Sequence, residues 1–505
     1  MTMTRRNFAK LSALLAAGLA TGSSSWALAQ EAIDKVARAD GAVPDAIYTL
    51  VDYCLNTRYE DLPAEVIEIT KAQILDTIVV MLPALDADGI AQLYALSQQA
   101  GGKEESLVLG TSVRLPAEAA VRLNASMAAA LEFDDTYEPS LMHASCVTVP
   151  VALATADLVG GVSGKELITA VAVGTDIACR LSMAGSPGVS PFIVGWDPTP
   201  MYGFLAAALV AGRLLKLDQA QMVAAAGLAY HQLSGNAQAS IDGTHAKRLG
   251  AGFAAAGGLM SARLAQQGVF GPFHVLEGPK GLFKQYHGGK YSKDALYGDL
   301  GTRFAGPGIA PKPYPSCRGG HVAIDGTLAL VKEHNLLPED IESVTIYSPP
   351  AEMMLLGLPL EKKQNPQTIV EAQFSNPWMV AAAIQDRDIG LRHFSNEALQ
   401  RADLKDLAKR MVTVEDKSLV RPDGGPGFVR LEIKTRAGQV HTTTVKYAKG
   451  DPNNPMTPEE VNKKVYECTD AAGMNREQAQ RMHQRILNLE TEADVASLTA
   501  ALAVT

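Results

Sequence analysis

The sequence predicts a mainly α fold with an α+β second domain. A large all-helical domain is formed by both chain ends, and a smaller α+β lid domain is inserted between them. Three features point to this. Between about residues 43 and 270, apolar residues recur at helical spacing, and several segments are Ala-rich and apolar almost all round. After residue 300 the Pro/Gly cluster Gly306 to Pro311 breaks that texture, and alternating strand patterns begin. Near the end, Thr457-Pro458-Glu459-Glu460 supplies an N-cap, a proline at the first helical position and a capping-box glutamate, so helix resumes.

Taken in order, residues 1–29 read as a twin-arginine export signal. Thr4-Arg5-Arg6-Asn7-Phe8-Ala9-Lys10 carries the arginine pair, Leu11 to Ala20 is apolar, and Ala27-Leu28-Ala29 has the small residues of a cleavage site. The expected destination is the periplasm, with no stable membrane association after cleavage. The first part of the helical domain is expected over 43–307. Pro63 opens a helix on which Val66, Ile69, Ile74 and Ile78 share a face. Further helices are expected over 116–132, 165–183, 201–215 and 218–233. The lid is expected over 308–453. It contains a helix over 321–334, a strand over 343–347, and a hairpin whose strands flank Arg436-Ala437-Gly438-Gln439. Residues 454–505 return to the helical domain.

Composition excludes several classes. With 47% hydrophobic and 20% charged residues, the 505-residue chain can bury a large core and is not disordered. A formal net charge of −9 argues against a nucleic-acid partner. No obvious membrane-spanning run lies outside the N-terminus. The five cysteines, Cys54, Cys146, Cys179, Cys317 and Cys468, are far apart and form no C-x-x-C. Buried free thiols are expected for all but Cys317. The chain has no Walker A loop, no strand-linked G-x-G-x-x-G, no G-x-S-x-G elbow and no H-E-x-x-H.

Three polar clusters interrupt the apolar background. Glu132-Phe133-Asp134-Asp135-Thr136, followed by His143, ends an Ala-rich helix. Carboxylates beside a histidine suit acid–base work or a metal, and equally suit a capped, solvated helix end. Asp242-Gly243-Thr244-His245-Ala246-Lys247-Arg248 puts two cations at a helix start, where free N–H groups favour an anion. Pro311-Lys312-Pro313-Tyr314-Pro315-Ser316-Cys317-Arg318-Gly319-Gly320-His321 concentrates positive charge at the domain boundary, where pockets are common. Each of these two also reads as a basic loop or a stiff linker. Gly195-Trp196-Asp197-Pro198-Thr199-Pro200-Met201-Tyr202-Gly203 and Gln373-Phe374-Ser375-Asn376-Pro377-Trp378 read more readily as helix starts.

In their order and wording these segments resemble the MmgE/PrpD family, which contains 2-methylcitrate dehydratases and cis-aconitate decarboxylases. The resemblance covers about residues 43 to 500. It implies a homodimer, an active site between the domains, and neither metal nor organic cofactor. It also implies that Glu132 is the family acid, that Thr136 and His143 match the residues after it, and that Lys247 and Lys312 match the two family lysines. Asp197, Gly250 and Cys317 stand where decarboxylase relatives have histidines.

The expected activity is therefore that of a lyase, a hydro-lyase that dehydrates a small hydroxylated di- or tricarboxylate of the 2-methylcitrate type. Expected catalytic residues are His143, Lys247, Glu132 and Thr136. Expected substrate contacts are Lys312, Arg318, Cys317, His321, Asp134 and Asp197. Both lysines are expected on a cavity wall, so that replacing either changes stability little. The alternatives are a dicarboxylate epimerase or isomerase, a cis-aconitate-type decarboxylase, or a non-catalytic periplasmic carboxylate-binding protein.

Overall fold

The computed structural model describes residues 44–185 and 195–502. The export-signal pattern lies outside the described residues. The helical domain is built from α1 (Ala46–Asn56), α2 (Ala64–Met81), α3 (Ile90–Ala100), α4 (Ala117–Ala130), α5 (Ser145–Val159), α6 (Gly164–Gly185), α7 (Pro198–Leu214), α8 (Gln219–Gln232) and α9 (Ala246–Gln266). The second region holds α10 (His321–Glu333) and α11 (Asn376–Asp386), and the chain ends with α12 (Pro458–Ala471) and α13 (Arg476–Leu487).

The centre of the helical domain follows from its alanines and glycines. Every residue of α7 except Arg213 is buried. Small side chains let α9 press against it: a Cβ at Gly258 would stand 2.3 Å from that of Ala207. α6 is long and apolar enough to cross a membrane, yet 94% of its most apolar window is buried in the core. Composition alone had given no such segment. The main core runs from Ala46 to Ile309 and then takes up Val465, Ile486 and Leu498 from the C-terminal helices. The two ends of the chain thus share one core.

Residues between Val322 and Ala448 form separate cores. After two short ladders, β1 (Ser106–Leu107) with β2 (Arg114–Leu115) and β3 (Thr136–Tyr137) with β4 (Ile309–Ala310), the strands β5 (Ile341–Ser348), β6 (Met411–Glu415), β7 (Val429–Thr435) and β8 (Val440–Val445) make a sheet here in the order β6-β5-β7-β8. β5 runs parallel to β6 and antiparallel to β7, and β7–β8 is the expected hairpin. α10 packs on β7 and β8, and α11 packs on α10 and β6. The chain is therefore mainly α with an α+β part. All five cysteines are free thiols, and only Cys317 is not buried.

Candidate active site

The site begins where α4 stops. Two residues on, Glu132 has φ +52°, a left-handed conformation uncommon for a side chain with a Cβ and frequent at functional turns. Glu132 and Asp134 both lie buried inside this turn. The next residues, Thr136–Tyr137, pair as β3 with β4 (Ile309–Ala310). That short ladder brings Lys312, two residues beyond β4, onto the turn.

The Lys312 side chain is completely enclosed. Its Nζ donates to the Glu132 carbonyl at 3.1 Å and pairs with Glu132 Oε2 at 3.5 Å and Asp134 Oδ1 at 3.3 Å. From the other side Lys247, the second residue of α9, donates to Glu132 Oε1. One carboxylate therefore sits between two ammonium groups. Glu132 neutralises the repulsion between the two lysines, and Lys312 lies in the interior, not on the expected cavity wall.

His143 precedes α5. Its Nδ1 lies 2.7 Å from the Asp135 carbonyl, 3.2 Å from Asp134 Oδ2 and 3.3 Å from Thr136 Oγ1. A carbonyl only accepts, so the neutral ring carries its proton on Nδ1. Nε2 keeps its lone pair and makes no hydrogen bond to the described residues. The backbone N–H of His143 donates to Thr199 Oγ1 at 3.1 Å, and Asp197 caps α7 by accepting from the Thr199 N–H at 3.0 Å. The N-termini of α5, α7 and α9 thus meet around His143, Asp197 and Lys247, and their dipoles favour negative charge there.

Charge pairing sorts the acids. Burial raises the Glu132 carboxyl, but Lys247 and Lys312 outweigh it and hold it below the usual range. Burial likewise raises Asp134, and Lys312 and His143 bring it well below that range. Burial lowers Lys247, and Glu132, Asp134 and Asp197 more than restore it. Asp197 stays above the usual range, because burial exceeds the pull of Lys247 and His143. Asp135 is pushed up to about 7, first by burial and then by Asp76 and Asp134. Ser145 sits beside it without a formed hydrogen bond, and neither Asp135 carboxyl oxygen is hydrogen-bonded.

Asp135 yields a pH prediction. Its carboxyl is raised from 3.8 to about 7 on folding, so its ionisation opposes the folded state as pH rises between these values. Asp135→Asn is expected to gain stability relative to the parent from about pH 4 to pH 7 and to level off above. Melting curves across that range check it; a constant offset contradicts it.

Among the described residues no three His, Cys, Asp or Glu side chains are arranged to hold a metal ion. What the site offers is an imidazole base, a carboxyl whose pKa burial raises, and an ammonium group beside them.

Comparison with known proteins places this arrangement in a family. Residues 48–294 match the MmgE/PrpD N-terminal domain, and residues 314–489 match the MmgE/PrpD C-terminal domain. The chain belongs to the MmgE/PrpD family. It is 26% identical over 470 residues to the cis-aconitate decarboxylase-like protein oryM of Aspergillus oryzae, covering 89% of this chain and 96% of that protein. It is 25% identical over 465 residues to the cis-aconitate decarboxylase of Aspergillus terreus, covering 88% and 93%. The human cis-aconitate decarboxylase is 24% identical over 460 residues, covering 87% and 91%. These relatives are lyase-type enzymes.

Within this family member, Glu132, Asp134, Thr136, His143, Asp197, Lys247 and Lys312 come together. Cys317 lies close enough for Glu132, Lys312 and Lys247 to act on its thiol, whose pKa is raised chiefly by burial. Arg318 and His321 do not face open space. Arg318 Nε donates to Glu138 Oε1 at 2.6 Å, and its terminal nitrogens donate to the carbonyls of Lys449 and Ala448. His321 is fully buried, accepts from Arg318 through Nδ1 at 3.3 Å, and donates from Nε2 to the Ser316 carbonyl. Burial, with Arg318 and Lys312 nearby, holds its pKa well below the usual histidine value. Arg318 thus ties the lid to Glu138 of the helical domain, and His321 supports Arg318.

Sequence reading missed Glu138, Arg421 and Lys464. Arg421 Nη1 meets Glu138 Oε2 at 2.5 Å, so Glu138 is held between two lid arginines. Lys464, from α12, donates to the Phe133 carbonyl at 2.8 Å and pairs with Asp76 at 2.6 Å. No local motif marks any of the three, because each gains its partner only through the tertiary fold. Glu138→Gln leaves the buried Arg318 guanidinium without its carboxylate partner, while Arg421 keeps Asp423 and Asp451. It is expected to cost about 3–5 kcal/mol, read as an earlier transition on chemical denaturation; an unchanged midpoint contradicts this role.

Proposed function

We propose that this protein is a hydro-lyase that removes water from a small hydroxylated di- or tricarboxylate of the 2-methylcitrate class, using its own side chains. The observation that carries the reading is the free Nε2 of His143, whose Nδ1 proton is fixed on the Asp135 carbonyl.

In this proposal His143 Nε2 takes the proton beside a substrate carboxylate. Asp134, ionised and 3.2 Å from Nδ1, stabilises the imidazolium that results. Lys247 spends one of its three donors on Glu132 and offers the others to the charge building on the substrate carboxylate. Asp197, whose pKa burial raises, gives a proton to the departing hydroxyl from its protonated form. His143 then returns its proton to Asp197, so the cycle closes with one water released. Lys312 and Glu132 position Lys247 and Asp134. Thr136 orients His143. The protein acts as a homodimer, in the periplasm where the N-terminal pattern would send it.

A second reading, decarboxylation, is favoured by the names of the relatives that match over almost the whole chain. Incubation with 2-methylcitrate, citrate and cis-aconitate separates the two. Loss of water from the hydroxy acids is expected. Release of carbon dioxide from cis-aconitate alone would replace dehydration by decarboxylation. Ligand-induced stabilisation with no turnover would make the protein a binding protein.

A further inference from the structure

A cavity of about 90 Å3 opens between the helical domain and the lid. Asp88, His245 and Arg248 line it on one side, and Thr368, Val370 and Asn396 on the other. Arg248 follows Lys247 on α9, so about 100° of rotation separates the two side chains. Lys247 reaches Glu132, while Arg248 turns to the loop before α3.

Arg248 is 5% exposed. Its Nη1 donates to the Asp88 carbonyl at 2.9 Å. Its Nε and Nη2 make no hydrogen bond, and among the described residues no carboxylate forms an ion pair with it. Glu132 and Asp88 attract it only from beyond ion-pair distance, so the guanidinium keeps donors for one more anionic partner. Asp88 contributes the one acidic side chain in the lining, and it leaves the guanidinium unpaired. The N-terminus of α9 also opens here, and its N-cap residue His245 makes no capping bond. The cavity is about three times the share of liquid volume held by one water, roughly 30 Å3. That is room for one small oxyanion.

We propose that this cavity is a second anion site, separate from the His143 centre. It takes a small inorganic oxyanion of the phosphate class and fastens the lid to the helical domain. Arg248 supplies the charge, α9 supplies backbone donors, and the polar lid residues close over the ion. The same chemistry could be met by a distal carboxylate of the substrate, and the experiment separates the two sources.

Inorganic phosphate would be titrated calorimetrically into the full protein, with and without saturating citrate. Saturable binding is expected, undiminished by citrate. Arg248→Gln is expected to weaken it at least tenfold. Asn396→Asp, a mild change at an exposed lid position, should weaken it about tenfold and keeps the test decisive if the first variant fails to fold. Lys247→Met should bind phosphate as the parent does. Absence of binding, loss of binding in Lys247→Met, displacement by citrate, or full binding in Asn396→Asp would each overturn the proposal. The readout is binding alone, so its failure is distinct from failure of the reaction proposed above.

Discussion

Lys312→Met is expected to abolish activity and to destabilise the protein by about 3–5 kcal/mol, the range for removing one partner of a buried charge network. Lys312 is wholly enclosed and answers three acceptors: the Glu132 carbonyl, the Glu132 carboxylate and the Asp134 carboxylate. Without it two buried acids face each other with only Lys247 and His143 to balance them. Both acids sit below their usual range in the parent, so their contribution is present above about pH 4 and is lost as pH falls through the lowered values. The gap between parent and variant should therefore be widest at neutral pH and narrow on acidification. Lys247→Met should behave differently. Its side chain is 16% exposed and its one ion-pair contact among the described residues is Glu132, so the stability loss should be smaller than for Lys312→Met and the larger effect should fall on substrate turnover. Equal melting temperatures for Lys312→Met and the parent would contradict this reading of the site.

His143→Asn is expected to lower kcat by about 10^2–10^4, the usual span for a positioned proton-transfer group. Little stability should be lost. The ring is partly exposed, and the backbone link from His143 to Thr199 does not depend on the side chain. The expected pattern is a folded protein with an intact melting curve and nearly no turnover. Wild-type kcat in this variant would remove His143 from the reaction.

Much of the fold was legible because it rests on local rules. The helices at 64–81 and 198–214 announce themselves by prolines at their starts, and that at 164–185 by its long apolar stretch. The β7–β8 hairpin shows in strict alternation around a glycine turn. β6 was not legible, because Met411–Glu415 is short and becomes a strand only by pairing with β5. α5 was hidden by Pro150 in its interior. The site divides in the same way. Glu132, His143 and Lys247 lie in conspicuous polar clusters beside apolar helices. That Lys312 and Arg318 are interior braces depends on burial and on Glu138, 180 residues from Arg318. No spacing in the sequence encodes that distance.

The central claim is that His143, held by Asp134 and the Asp135 carbonyl, moves a proton on a carbon beside a substrate carboxylate. Proton NMR in heavy water, with 2-methylcitrate or citrate and the parent beside His143→Asn, tests it most directly. The expected result is loss of water from the substrate together with deuterium entering the remaining α-position, both absent in the variant. Deuterium exchange without loss of water would turn the reaction into epimerisation through the same base. Turnover in His143→Asn equal to that of the parent, or no exchange and no elimination by the folded parent, would contradict the account.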